Sequence, residues 1–352
     1  MLCSIRRWVL GLLVLAMPAL ALMLGLGACK PRPTLRVLTW ADYVDPELLR
    51  RFEQRHQCRV LLDVFDSNEA MLARLKAGQR GHDVILPSAY ALPALLADDL
   101  IEPLDHALLP HLGEVDLSLL PKLPDPPMRH AVPYTLGYAM LAVDAQALPD
   151  AQPTWQLMAD PRVQGRCTLL DDMRETMGVA LKTLGFSLNS RDEAQLAAAG
   201  ELLLQWRGQI AKFENEAYKA GIDSGEFKLV HGYSGDLWQV AQQNPRLRLI
   251  LPREGLSMNC DEMVLARGCT QRALAHAFID FLLEPEVSAQ NMQFMGYVCP
   301  NKGGLKLVAP AFLKHPALSL EPALRARCEA IEDLGPDLQK YNRVWERVKA
   351  GR

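Results

Sequence analysis

The chain has 352 residues, 49% of them hydrophobic, with 38 basic side chains against 41 acidic and a formal net charge of −3. That length supports two domains, and the mild acidity argues against nucleic acid as a partner. None of the eight cysteines forms a C-x-x-C and no Cys/His cluster has zinc spacing, so neither a metal site nor a cofactor is expected.

Read in chain order, Arg6 and Arg7 make a basic start and Trp8 to Leu26 is nearly all apolar. Leu26-Gly27-Ala28-Cys29 then reads as a lipobox, which predicts a signal peptide over 1–28 and lipid on Cys29. A plain signal peptide or an uncleaved anchor is the alternative, because the run is about long enough to span a bilayer. Pro18 inside the run works against a permanent spanning helix. Acyl chains on Cys29 would tether an otherwise soluble body to a membrane surface. Loss of 1–28 removes only Arg6 and Arg7 and leaves a net charge of −5. Cys58, Cys167, Cys260, Cys269, Cys299 and Cys328 would then lie in an oxidising compartment, with their pairing open. Cys260 and Cys269 cannot pair if the chain between them is one extended strand, whose ends lie roughly 30 Å apart.

Leu35 to Thr39 reads as a short buried strand. Asp45 is placed to cap a helix that begins at Pro46. Between them Trp40, Asp42 and Tyr43 put an indole, a carboxylate and a phenol on one loop. Rings attract a cation through their quadrupole and a carboxylate supplies the opposite charge, so this loop is suited to an organic cation. Arg59 to Phe65 is a second strand, and Asp66 to Glu69 reads as a capping-box variant opening a further helix. His82 to Leu86 is a third strand, followed by Ser88 and Tyr90. Alternation of strand and helix implies an α/β unit with a largely parallel sheet, in which ligands sit beyond the carboxyl ends of strands. Both the Trp40 loop and Ser88 occupy that position.

The segment from Leu104 to Met128 is proline-rich and irregular, and Val132 to Val143 is a strand without a sharp stop. Cys167 to Leu170 is a strand, Asp172 to Glu175 a capping box, and Glu193 to Trp206 an amphipathic helix. Leu229 to Tyr233 is a strand, and the helix after it starts near Asp236. Arg248 to Leu251 and Glu262 to Ala266 return to strand, which puts Asp261 at a strand's start; Arg272 to Leu283 is a long apolar helix. Extended crossovers near Val132–Leu141 and Arg248–Glu254 would hinge two lobes around a cleft.

The segments V-L-T-W-A-D-Y-V-D-P, D-V-I-L-P-S-A-Y, V-P-Y-T-L-G-Y, G-Y-S-G-D-L-W-Q-V-A and G-Y-V-C-P-N-K resemble, in order, the periplasmic polyamine-binding proteins of ABC importers. With D-V-F-D-S-N-E-A-M-L-A-R-L-K-A-G, P-R-E-G-L-S-M-N-C-D-E and the C-terminal R-V-W-E-R-V-K-A-G they cover nearly the whole chain after the signal. The resemblance implies a two-lobed periplasmic-binding-protein fold, each lobe a mostly parallel sheet flanked by helices. The expected division is 29–136 in lobe 1, 137–248 in lobe 2, 249–314 back in lobe 1, and 315–352 as C-terminal helices on lobe 2. It also implies a monomer, tethered on the periplasmic side, that delivers putrescine- or spermidine-type cations to membrane permease subunits.

Residue by residue, the resemblance implies ligand contacts from Trp40, Asp42, Tyr43, Ser88, Glu175, Tyr233, Asp236, Asp261 and Tyr297. Asp236 and Asp261 would hold one ammonium; Asp42, Glu175 and Ser88 would hold other amine positions; the rings would cover the methylenes. Two departures stand out: Asn259 replaces an aromatic residue, removing one ring face, and Ala41 replaces a small hydroxyl residue. No G-x-S-x-G, H-E-x-x-H or Walker loop supports an enzyme, and no Tyr-Tyr pair supports an iron binder. A sensor built on the same lobes, or a receptor for another organic cation, is the alternative reading.

Overall fold

The computed structural model describes residues 32–120, 125 and 128–351; the signal peptide and Cys29 lie outside the described residues. In chain order the strands are β1 (Thr34–Thr39), β2 (Arg59–Val64), β3 (Val84–Ile85), β4 (Ile101–Glu102), β5 (Ala131–Asp144) and β6 (Cys167–Leu169). They continue as β7 (Ile210–Phe213), β8 (Leu229–Tyr233), β9 (Leu247–Ile250), β10 (Ser257–Ala266) and β11 (Glu329–Ala330). The hydrogen-bonded order is β2-β1-β3-β10-β5-β8-β6-β7.

Two parallel groups emerge. β2, β1 and β3 run parallel in the first lobe, and β8, β6 and β7 run parallel in the second. The strand that joins them is β5, whose fourteen residues are all buried. Its first half pairs antiparallel with β10, from Ala131 opposite Val264 to Tyr138 opposite Met258. Its second half pairs antiparallel with β8 and β9. One continuous buried strand therefore serves both lobes, running through Pro133 and Gly137 without a break. The chain returns through β9 to β10 and later lays β11 parallel against Ser257 and Met258. The final helix, Leu338–Ala350, packs on the helices Glu193–Arg207 and Met173–Thr183.

Local chemistry sets where the first-lobe helices start. Asp45 accepts from the Glu47 amide and caps the helix Pro46–His56. The next cap is Ser67, which accepts from Ala70 N, rather than Asp66. The capping box read from Asp66 is thus displaced by one residue, and Asp66 is left exposed at the end of β2. Asp261 also differs from expectation: it lies in the middle of a ten-residue strand, where the register with β5 slips between Asp261 and Glu262. A slip of this kind re-aims side chains, so a carboxylate on an interior strand can face the cleft. The six described cysteines are all unpaired.

A carboxylate-rich cleft between the lobes

A cleft of about 1070 Å³, including space open to solvent, lies where β5 and β10 cross between the lobes. Trp40, Asp42, Tyr43, Ser88, Glu175, Tyr233, Asp236, Asp261 and Tyr297 all line it. So do Asp66, Asp172 and Glu216, which brings the carboxylates to seven; among the described lining residues Lys219 is the one cation. Among the described residues no cluster of three His, Cys, Asp or Glu side chains is arranged to hold a metal ion.

Each wall follows from local structure. The loop after β1 turns sharply because Asp42 adopts a left-handed backbone, φ +52°. Aspartate tolerates that region better than most residues. The turn leaves Asp42 exposed and drives Tyr43 inward. Trp40 rests against Phe65 with ring centroids 4.3 Å apart. Tyr43 meets the edges of Tyr134 and Tyr297, each at 5.7 Å. Tyr297 reaches the helix Ser234–Gln243 because residue 235 is glycine; a Cβ there would lie 2.3 Å from the Tyr297 ring.

The buried acids fall into two groups. In the first, Asp261 accepts from Ser88 Oγ at 2.6 Å, from the Tyr43 hydroxyl, and from Thr135 Oγ1 at 3.3 Å. Burial still raises its pKa, and those three hydroxyl donors only partly offset the rise. Asp236 stands nearby, accepting from the buried Tyr218 hydroxyl, with Lys219 Nζ 3.5 Å from its other oxygen. Tyr297 lies by both acids: burial raises its phenol, and the charges of Asp236 and Asp261 raise it further.

In the second group Asp172 is the N-cap, and Glu175 lies in the first turn, of the helix Met173–Thr183. Asp172 caps it by accepting from Glu175 N. The reciprocal half of the box does not form. Instead the Glu175 carboxylate leaves its helix and accepts from Ser257 Oγ and, at 2.7 Å, from Asn259 Nδ2 on β10. Burial and the neighbouring Asp172 push Glu175 up to about 7, against the lowering effect of those two donors. Asp172 is likewise raised, chiefly by burial. Tyr233 stands beside this pair, its phenol raised by burial and then by Asp172 and Glu175. Asn259, expected only as a missing ring face, is a positioning residue for Glu175.

Several lining residues were not singled out from sequence. Asp66 follows β2 at its carboxyl end, so the positional rule that selected Trp40 and Ser88 would have found it. Asp172 fits the cap of its own helix, so nothing in the sequence marks it as lining the cleft. Tyr218, Lys219 and Glu216 sit in and before the short helix Tyr218–Ser224, in a stretch with no clear periodic pattern. Burial in this cleft makes ionised carboxylates costly, and either protonation or a bound cation relieves that cost.

Known proteins agree with the architecture. The family model described as bacterial extracellular solute-binding protein matches residues 47–318. A putrescine/cadaverine-binding protein of Pseudomonas aeruginosa is 31% identical, covering 93% of this chain and 97% of its own. A spermidine/putrescine-binding periplasmic protein of Salmonella typhimurium is 28% identical, covering 96% and 98%. The solved Tp0655 lipoprotein of Treponema pallidum superposes with a TM-score of 0.80 at 28% identity, covering 90% of this chain and 99% of its own. The two lobes, the strands that cross between them and the cleft at the crossing are those of a periplasmic binding protein, and the chain belongs to the bacterial extracellular solute-binding proteins.

Proposed function

We propose that this chain is the substrate-binding lipoprotein of a polyamine ABC importer and that its cleft holds a putrescine- or spermidine-type cation. The observation that carries the reading is a ring-walled cleft lined by two groups of acids: Asp236 and Asp261, which both act on the Tyr297 phenol, and Asp172 and Glu175, which act on each other. An aliphatic diamine carries a charge at each end and methylenes between. Each ammonium needs a carboxylate and further acceptors once it leaves water. Trp40, Tyr43, Tyr233 and Tyr297 cover the methylenes and add cation–π attraction of about 0.5–2 kcal/mol per good contact. The names of the Pseudomonas and Salmonella relatives favour the same ligand class.

Asp42, Ser88 and Asp261 belong to one lobe, and Glu175 and Asp236 to the other. A dication spanning them binds the closed arrangement better than an open one, and that difference in affinity drives closure. The closed molecule then docks on the permease as a monomer. Lipid on Cys29 would hold it at the membrane on the periplasmic side; the description of the Treponema neighbour as a lipoprotein supports that tether. Lobe boundaries near 136/137, 248/249 and 314/315 complete the reading.

Thermal unfolding with added putrescine and spermidine tests the ligand class. Either amine at saturation should raise the melting temperature, because it binds only the folded state. No shift with any polyamine rejects the class.

A further inference from the structure

Lys219 places an ammonium in a cleft whose other charged lining residues, among those described, are all acids. Its position is not accidental to the surface. The residue before it, Tyr218, is fully buried, and its hydroxyl bonds Asp236. That ring can approach the strand only because residue 232 is glycine; a Cβ there would lie 2.5 Å from the Tyr218 ring. Ile222, one turn on, is also fully buried. The helix Tyr218–Ser224 is therefore fixed to the second lobe, and the Lys219 side chain, 29% exposed, extends from it to within 3.5 Å of Asp236.

Four carboxylates share this neighbourhood. Glu216 is raised by partial burial, lowered by Lys219, and raised again by Asp236, Asp66 and Asp42. Asp42 and Asp66 come from the first lobe; Glu216 and Asp236 come from the second. Asp236 lies 3.5 Å from the Lys219 ammonium and Glu216 feels its charge, so the chain itself supplies a cation to this group of acids.

We propose that Lys219 is a specificity-determining residue: its tethered ammonium fills a third cation position of the cleft and makes the protein select diamines over triamines. This rests on the polyamine reading of the cleft. Tyr218 takes one Asp236 oxygen and Lys219 faces the other, so Asp261 with the remaining Asp236 lone pairs, and the Asp172/Glu175 group, are left for the two ammoniums of a diamine. A triamine must bring a third charge toward the rim that Lys219 already neutralises, and there it meets a like charge instead of free acids.

Calorimetric titration of putrescine and spermidine into the wild-type protein and into Lys219→Met tests the idea, with Lys219→Gln as a second variant if the first folds poorly. Wild type should bind putrescine more tightly than spermidine. Lys219→Met should raise spermidine affinity about tenfold relative to putrescine, the scale of removing one like charge in a partly screened site. A wild type that prefers spermidine overturns the proposal. So does a variant in which both affinities move by the same factor, since that is the signature of general charge balance. If wild type binds neither amine, the polyamine reading falls first and this inference with it.

Discussion

Asp261→Asn separates the demands of folding from those of ligand capture. The carboxylate accepts from Ser88, Tyr43 and Thr135, so three of its roughly four lone-pair directions are used by the protein and about one is free for a ligand ammonium. The amide keeps the shape, removes the charge, and presents one oxygen instead of two. Without ligand, little stability should be lost: burial already disfavours the charged form, so relief from desolvation offsets weaker hydrogen bonds. With ligand, an ammonium is left underpaired in a dry site, which costs about 2–5 kcal/mol, or roughly 30- to 5,000-fold in affinity. Titration calorimetry with putrescine measures the second quantity and thermal unfolding of the ligand-free protein the first. An affinity within about threefold of wild type would refute the assignment of Asp261 as an anchor, since such a change is under about 0.7 kcal/mol.

Three further results follow from the same geometry. Glu175 is raised in the folded protein to about 7, so the stability its protonated form contributes is full below its unfolded value near pH 4.3 and lost as pH rises through about 7. The melting temperature of ligand-free Glu175→Gln should therefore gain on wild type by several degrees between pH 5 and pH 8, and an unchanged difference contradicts the burial argument. Gly235→Ala should cost about 1–3 kcal/mol of stability in denaturant melts and weaken putrescine binding, because the new methyl displaces the Tyr297 ring; wild-type behaviour in both contradicts the packing described. Cys29→Ala should move the protein from the detergent phase to the aqueous phase on detergent partitioning of cells, and retention with membranes argues for an uncleaved anchor instead.

Much of this was legible in the chain because local and global signals coincide. A loop that follows a strand and precedes a capped helix must face the carboxyl end of a parallel sheet, and that placed Trp40, Asp42, Tyr43 and Ser88 together. The long, largely apolar stretch of β5, with no polar loop inside it, marked the crossover. What stayed hidden depends on partners far apart in sequence. Glu175 satisfies a capping pattern, so its sequence neighbours account for it completely; only the fold brings Ser257 and Asn259 to its carboxylate. Asp261 looked like a strand terminus because polar residues Ser257, Asn259 and Asp261 break the apolar pattern of β10, although its pairing with β5 continues through them. Lys219 carries no sequence signal at all, since a lysine six residues after the strand Ile210–Phe213 is ordinarily a solvated charge.

The central claim is that two carboxylate pairs in one cleft grip the two ends of an aliphatic dication. A crystal structure of the protein grown with putrescine tests it most directly. One ammonium should lie between Asp236 and Asp261 and the other beside Asp172 and Glu175, with the methylenes against Trp40 and Tyr43. Density for the amine outside the cleft, or within it but with either acid pair turned away, would contradict the account.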